Sequence, residues 1–305
     1  MKSDLFSRIK KDIKQNKSLY ILVLPVLIFY IIFHYKPMYG AIIAFMDYNP
    51  RLGIKGSEWV GFAQFTRFFQ SPYFTRILRN TILLSVYGIA FGFPAPIILA
   101  LLLNELKQKK IKKTVQTATY LTHFISLVVV TGIIKEFTQS TGLINDIIEF
   151  FGGTRTSLIQ NPALYRTIYI TSDIWQEIGW GSIIYLAALS GIDEQLYEAA
   201  SIDGANRWEK LIHVTLPGIS TTIIIMLILR LGQILGSSYE KTILLYNEAT
   251  YETADVIASY IYRVGILERN WSYSTAIGLF NSCINFVFLL VANKLSKKVS
   301  ETSLW

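Results

Sequence analysis

Six apolar segments recur along this chain, and each is close to the length that crosses a lipid bilayer. About 20 apolar residues in a helix cover the roughly 30 Å of hydrocarbon. The segments lie at about 19–33, 77–103, 114–134, 166–192, 219–235 and 274–293. Only 16% of the residues are charged and 52% are hydrophobic, whereas a soluble domain carries roughly 25% charged residues. The sequence therefore predicts an all-α membrane protein with six transmembrane helices.

The distribution of basic residues predicts the orientation of these helices. More than half of the 29 lysines and arginines lie in the amino tail, the 104–113 loop, the 193–217 loop and the carboxyl tail. Because basic residues concentrate on the cytoplasmic side, both termini are expected in the cytoplasm. We predict a cytoplasmic basic tail over 1–18 and a transmembrane domain over 19–305. The first segment is read as a retained helix, not a signal peptide, because no small-residue cleavage site follows it.

The connection at 193–217 is short, charged and rich in small residues, although long apolar segments flank it. Its signals are an N-cap at Asp193, a turn at Asp203 and Gly204, a capping box at Asn206 and Glu209, and a helix change at Pro217. They predict two short helices that meet at an elbow and change to a membrane helix at Pro217.

This connection resembles the EAA loop of the permease subunits of ABC importers. The motif is Glu-Ala-Ala, a Gly four residues later, nine residues, an aliphatic residue, any residue and Leu-Pro, here Glu198, Ala199, Ala200, Gly204, Val214, Leu216 and Pro217. Val214 stands where Ile is usual and Leu211 where Phe is common, and both remain apolar. The resemblance implies the type I ABC importer permease fold, with a coupling loop that docks into a cytoplasmic ATPase.

The same resemblance implies which residues contact the ATPase. They are Glu198, Ala199, Ala200, Asp203, Gly204, Trp208, Leu211, Leu216 and Pro217. Glu198 is expected to make a charge-assisted contact, the small residues to allow close approach, and Trp208 and Leu211 to supply apolar area. Alternatively, Trp208 packs back onto the helices of its own chain.

A second resemblance concerns the substrate and the partners. The run HYKPMYGAIIAFMDYNPRLGIKGSEWVGFAQFTRFF, at 34–69, is similar to the outer loop of permeases that import oligosaccharides. The resemblance implies that the chain works with a second homologous permease subunit, two ABC ATPase subunits and an extracellular solute-binding lipoprotein. It also implies that the chain lies in the plasma membrane of a bacterium. It also implies that an oligosaccharide passes by alternating access.

Polar residues inside apolar segments are costly unless they are paired or face water, so they mark a possible path. Asp173, Gln176, Glu177 and Trp180 share one helix face by their spacing, as do Arg230, Gln233 and Ser237. We assign the substrate path to Asp173, Trp175, Gln176, Glu177, Trp180, Arg230, Gln233, Tyr239, Asn281 and Asn285. Three alternatives stay open: Arg230 pairs with Glu177 or Asp173, the two asparagines join helices, and Trp180 faces lipid or packs against protein.

Motifs for catalysis are missing from the sequence. It contains no GxxxxGK[ST] phosphate loop, HExxH helix or nucleophile elbow. His34, His123 and His213 lie on separate segments, and Cys283 is the only cysteine. We therefore expect a transport subunit that binds no cofactor, with ATP and Mg²⁺ on the partner ATPases. The alternatives are a permease for a non-sugar solute and a membrane-embedded transferase with Asp173 and Glu177 as acid and base.

Overall fold

The computed structural model of the chain describes residue 12, residues 15–236 and residues 239–300. Most of the predicted basic tail and Ser237 lie outside these residues. In chain order the helices are α1 (Lys17–Phe45), α2 (Gly53–Gly56), α3 (Ala63–Phe69), α4 (Phe74–Glu105), α5 (Lys109–Leu121), α6 (Leu127–Thr138), α7 (Leu143–Phe150), α8 (Pro162–Ser190), α9 (Glu194–Ile202), α10 (Arg207–Leu231), α11 (Tyr239–Leu245), α12 (Tyr251–Ala254), α13 (Ile257–Leu267) and α14 (Trp271–Ser300). Short 3₁₀ turns lie at Thr122–Phe124, Leu158–Gln160 and Glu248–Thr250.

Strands play a minor part in the described residues. Met46–Asp47 (β1) and Glu58–Trp59 (β2) pair antiparallel, with Met46 opposite Trp59. The two strands pair within the connection between α1 and α4 and bring its residues 46–47 and 58–59 together. The predicted all-α class therefore holds apart from this ribbon.

Five segments of the described chain are long and apolar enough to cross a membrane. They are Lys17–Phe45, Phe74–Glu105, Leu127–Phe150, Arg207–Leu231 and Trp271–Lys297. α8 is long enough, at 29 residues, but the polar residues at its centre keep it out of this set. The described chain thus has five such segments plus the shorter apolar helix α13.

The predicted third span at 114–134 is wrong as a single helix. The chain leaves the helical conformation at Ile125, and Ser126 caps α6 by accepting a hydrogen bond from the Val129 amide (3.4 Å). α8 satisfies the freed backbone, because the Gln176 amide donates to the Ile125 carbonyl (3.3 Å). Such a break is tolerated at membrane depth only where protein covers it.

Three prolines follow a widened turn of helix. π-helical turns at Ile31–Tyr35, Gly88–Gly92 and Leu211–Thr215 precede Pro37, Pro94 and Pro217. Proline lacks an amide N–H and crowds the carbonyl four residues back, and a π-turn moves that hydrogen bond back by one residue. The predicted helix change at Pro217 is therefore wrong, since α10 runs without interruption from Arg207 to Leu231.

The long helices pack around three groups of buried apolar side chains. Tyr185 and Leu189 of α8 meet Ile97 and Ala100 of α4 in one of them. α1 is different, because none of the residues in Lys17–Tyr30 is buried. Its 3₁₀ end, Tyr39–Phe45, packs against α14. The rest of α1 therefore presents apolar side chains on all sides, as a helix in lipid or at a subunit interface does.

Candidate functional site

The predicted elbow at 193–217 forms a helical hairpin, which we call the coupling hairpin (193–217). The Asp193 side chain accepts a hydrogen bond from the Gln195 amide (2.9 Å) and caps α9. The Asn206 side chain accepts from the Glu209 amide (3.0 Å), while the Glu209 carboxylate accepts from the Asn206 amide (2.7 Å). The predicted N-cap and capping box are both confirmed.

The turn of the hairpin depends on a glycine. Gly204 has φ of 82°, in the left-handed region that favours glycine. Its neighbour Ala205 donates its amide to the Ala200 carbonyl (2.9 Å) and closes the end of α9. A Cβ at position 204 would meet nothing within 4 Å. The tip of the hairpin is therefore bare and open to another surface.

Two side-chain contacts join α9 to the start of α10. The Tyr197 hydroxyl bonds the Thr215 hydroxyl (3.0 Å), and the Lys210 ammonium donates to the Ser201 hydroxyl (2.7 Å). These contacts hold the hairpin as one unit. α10 continues from this unit to Leu231, so the hairpin and the membrane-spanning part of α10 belong to one helix about 37 Å long.

The tip of the hairpin exposes apolar side chains. Trp208 is 67% exposed and Ile202 is 86% exposed. The alternative in which Trp208 packs back onto its own chain is therefore wrong. Glu198, Asp203 and Pro217 are exposed as well, whereas Leu211 and Leu216 are half-buried. Ile202 and Leu196 were not predicted as contact residues, although their position on a charged, short helix is a signal for an apolar contact face.

A cavity of about 470 Å³ lies among α4, α8 and α10. Predicted path residues line it: Asp173, Glu177, Trp180, Arg230 and Gln233. A smaller cavity of about 150 Å³ shares Asp173, Arg230 and Gln233 with it. The α8 wall of carboxylates and an indole therefore meets a guanidinium and an amide from α10 and the turn after it. We call the two together the central cavity (Asp173, Glu177, Trp180, Arg230 and Gln233).

Lys241 balances the charge of Asp173 in this cavity. Its side chain is 2% exposed, and its ammonium lies 3.2 Å from the Asp173 carboxylate and donates to the Tyr169 carbonyl (3.1 Å). Burial lowers the pKa of Lys241, while Asp173 acts in the opposite direction. The pair therefore places a buried cation directly behind the cavity wall.

Glu177 has a different partner. The His123 imidazole lies 2.8 Å from its carboxylate and stacks on Trp180, with ring centres 4.5 Å apart and planes 3° apart. Arg230 makes no ion pair with Asp173 or Glu177, so that alternative is wrong. Both carboxylates are thus paired with residues that the sequence did not indicate.

Other predicted path residues lie outside the central cavity. Gln176 is buried against the break at Ile125. Trp175 is 44% exposed away from the cavity lining, and Tyr239 stacks on Tyr262 with ring centres 5.7 Å apart. Gln176 therefore does not line the central cavity, although its spacing placed it on the same helix face as Asp173, Glu177 and Trp180.

The two asparagines of α14 also stay out of the central cavity. Asn285 accepts a hydrogen bond from the Leu235 amide (2.9 Å), so it joins α14 to the turn after α10. The Asn281 side-chain oxygen is buried without a partner among the described residues. The alternative of a helix-joining role is therefore correct for Asn285.

Lys241 and His123 are the site residues that sequence reasoning missed. Lys241 belongs to a connection that folds back against α8, and nothing in its local sequence indicates that return. His123 precedes Ser126, and that N-cap inside an apolar run was the available signal for a helix break beside it. Within the described ranges, no group of three or more His, Cys, Asp and Glu side chains could hold a metal ion.

Comparison with known proteins gives consistent similarities. The family described as "Binding-protein-dependent transport system inner membrane component" matches residues 76–301. The polygalacturonan/rhamnogalacturonan transport system permease protein YteP of Bacillus subtilis (strain 168) is 44% identical over 292 residues, which cover 95% of this chain and 91% of that protein. Protein LplB of the same organism is 43% identical over 294 residues, or 96% of this chain and 92% of that protein.

Solved structures agree with these relatives. A chain of a bacterial ABC transporter involved in the import of the acidic polysaccharide alginate superposes with a TM-score of 0.89 at 44% identity, covering 96% of this chain and 99% of that chain. The bacterial alginate ABC transporter in complex with an alginate pentasaccharide-bound periplasmic protein gives a TM-score of 0.90 at 44% identity, covering 97% and 100%.

Proposed function

This chain belongs to the family of binding-protein-dependent transport system inner membrane components, and we propose that it carries an oligosaccharide through the membrane for an ATP-driven importer. The observation that supports this most is the coupling hairpin. It presents an exposed tip and continues as one helix to the central cavity.

Membership in the family settles several broader questions. The chain is a membrane transport component rather than an enzyme, as predicted, and it resides in the bacterial plasma membrane. Its fold is that of the permease chains of ABC importers. The alternative of a membrane-embedded transferase is therefore wrong.

We place six crossings in this fold, with both termini in the cytoplasm. Besides α1, α4, α10 and α14, the third crossing is the broken stretch 109–138 and the fourth is α8. α8 is more polar than the other helices because its polar side chains face the central cavity and neighbouring protein. This arrangement puts the coupling hairpin on the same side as the amino tail, the 104–113 loop and the carboxyl tail, whose basic residues favour the cytoplasm.

Coupling to an ATPase would proceed through the tip of the hairpin. Trp208, Ile202 and Glu198 offer exposed apolar area and one carboxylate, and bare Gly204 allows close approach. Two ABC ATPase subunits, which would bind ATP and Mg²⁺, pull or release this tip. α10 then shifts Arg230 and Gln233 relative to α8, and the central cavity opens to one side at a time.

The sugar assignment rests on the cavity and on the relatives. Trp180 offers an aromatic face, and carboxylate, amide and guanidinium groups around it can hydrogen-bond hydroxyl groups. One relative is a polygalacturonan/rhamnogalacturonan permease, and one structural neighbour imports alginate. We propose that a solute-binding lipoprotein delivers the oligosaccharide from outside and that a second permease subunit completes the path. A non-sugar solute remains the second candidate.

The test is a pair of glycine variants measured for sugar uptake in cells. Gly204→Asp should abolish ATPase-coupled uptake while membrane insertion stays intact, because a side chain at the tip blocks the approach of the ATPase. Gly152→Asp is the matched control, since Gly152 also has φ of 82° and open space at its Cβ. Gly152 lies in the connection after α7, away from the hairpin, so uptake should persist.

A third variant separates backbone strain from contact. Asn tolerates the left-handed conformation better than most residues, so Gly204→Asn should preserve the fold of the hairpin. If the ATPase needs a bare tip, this variant also loses uptake and fails to retain the ATPase on co-purification. Normal uptake by Gly204→Asp would contradict the coupling role.

A further inference from the structure

A larger cavity of about 990 Å³ opens between the connection after α1 and the segment between α10 and α14. We call it the arginine–tyrosine cleft, after the residues that give it its character: Arg67, Arg76, Arg263, Tyr73, Tyr251, Tyr260 and Tyr273. In the proposed topology it faces the extracellular side. Neither the coupling role nor the central cavity accounts for this group of cations and rings.

A buried carboxylate fixes two of the arginines. Asp255 is fully buried, and its oxygens lie 2.6 Å and 3.2 Å from the Arg263 guanidinium and 3.4 Å from Arg76. Ser259 also donates to Asp255 (2.8 Å). Because Asp255 is fully buried and contacts both guanidinium groups, it holds Arg76 and Arg263 at the wall of the cleft.

The third arginine is not paired in this way. Arg67 is exposed, and its guanidinium lies over the Tyr273 ring, 4.4 Å from the ring centre. It makes no ion pair with any described carboxylate. Glu268 is the carboxylate among the residues that line the cleft. Counting Asp255 as well, three guanidinium groups meet two carboxylates, so the cleft has an excess of one positive charge.

We propose that the arginine–tyrosine cleft binds the carboxylate of an acidic sugar, a uronate unit of the oligosaccharide, before it reaches the central cavity. The inference rests on the proposed import of an oligosaccharide and specifies the class of that sugar. A guanidinium offers a planar pair of donors that matches a carboxylate. Tyr73, which is 46% exposed, offers an aromatic ring and a hydroxyl group for the rest of the sugar. The volume is near the upper end of ordinary ligand sites, about 300–1,000 Å³.

An acidic side chain of the solute-binding protein is the competing occupant. A sugar fits better because the cleft is concave and holds four tyrosines together with Gln70 and Thr66. A single carboxylate side chain of the solute-binding protein would contact only the arginines and would leave the other polar and aromatic groups of the cleft unused. The two occupants differ in whether free sugar binds when the solute-binding protein is absent.

The experiment uses the full chain in nanodiscs of phosphatidylcholine, whose zero net charge limits competition from lipid. The probes are trigalacturonate and its methyl ester, which keeps the same rings and removes the negative charges. We expect the acid to bind about tenfold more tightly than the ester. Raising the salt concentration should weaken binding of the acid and leave the ester unchanged.

Variants locate the binding. Arg67→Gln should reduce the affinity for the acid about tenfold, to that of the ester. Arg51→Gln is the matched control, because Arg51 is an exposed arginine of the same connection but lies outside the cleft. It should change neither the affinity for the acid nor the affinity for the ester. Gln70→Glu is a second variant at an exposed residue of the cleft, and it should weaken the acid alone even if Arg67→Gln does not fold.

Three results would overturn the proposal. In the first, the acid and the ester bind equally well. In the second, Arg67→Gln and Gln70→Glu both bind the acid as tightly as the unmodified chain does. In the third, these variants bind free acid normally and lose only the docking of the loaded solute-binding protein. Its failure is distinguishable from failure of the proposed function, because ATPase activity stimulated by the sugar-loaded binding protein is measured separately. That activity would persist if only the cleft were misassigned.

Discussion

Among individual residues, the two members of the Lys241–Asp173 ion pair are buried to very different extents. Lys241 is 2% exposed, whereas the Asp173 side chain is 38% exposed. Asp173→Asn would leave a buried ammonium without its carboxylate and should lower the free energy of unfolding by about 1–3 kcal/mol. Lys241→Met fills the same space without a charge and leaves a carboxylate that water reaches, so its loss should be smaller. Unfolding of the purified chain in detergent measures both.

The double variant checks this asymmetry. Because Asp173→Asn with Lys241→Met also removes the ammonium that has lost its carboxylate, it should be more stable than Asp173→Asn alone, and the two effects should not add. Equal losses from the single variants, with strict additivity, would contradict a pair in which burial of the cation dominates.

The same pair shows what a sequence reveals about single residues. Asp173, Glu177, Trp180, Arg230 and Gln233 were found because polar residues inside an apolar segment are costly and recur on one helix face. Their partners Lys241 and His123 come from distant positions, and helical spacing carries no information about contacts between segments. Gln176 was misassigned for that reason, since its spacing fits the wall while the broken stretch beside α8 uses its amide.

At the scale of helices, the contact between α8 and α5 depends on Gly179. A Cβ there would lie 2.2 Å from the Thr119 carbonyl oxygen, so the two backbones can meet only at a glycine. Gly179→Ala should therefore lower the free energy of unfolding by about 1–3 kcal/mol through overpacking. Gly278→Ala is the matched control, because Gly278 also lies within a helix and its Cβ would meet nothing within 4 Å. The measurement is unfolding of the purified chain in detergent.

An unchanged stability of Gly179→Ala would show that α5 can move away from α8 without cost. Gly278→Ala should be neutral or slightly stabilising, since alanine favours helix over glycine. A loss in both variants would point to a general effect of the added methyl group instead of the close approach.

Helix existence was largely predictable and helix continuity was not. The apolar runs located α1, α4, α10 and α14 because length and hydropathy are properties of a single segment. The break at Ile125 and the continuity of α10 through Pro217 depend on other helices and on a π-turn, respectively. A proline inside an apolar run therefore indicated irregular hydrogen bonding correctly, but it did not indicate the end of the helix.

For the whole molecule, the prediction that matters most concerns which side each connection faces. In a Cys283→Ser background, single cysteines replace Lys55, Lys109, Thr154 and Gln195, which are all exposed. A membrane-impermeant maleimide should label Lys55→Cys and Thr154→Cys in intact cells, and should label Lys109→Cys and Gln195→Cys only after permeabilisation. The reason is that Thr154 and Gln195 flank α8, and Lys109 and Thr154 flank the broken stretch 109–138.

Two labelling results would contradict this topology. Labelling of Thr154→Cys and Gln195→Cys from the same side would mean that α8 does not cross the membrane. Labelling of Gln195→Cys in intact cells would place the coupling hairpin out of reach of any cytoplasmic ATPase. Uptake by each variant is the control for a native fold, because a chain that transports sugar must have inserted correctly.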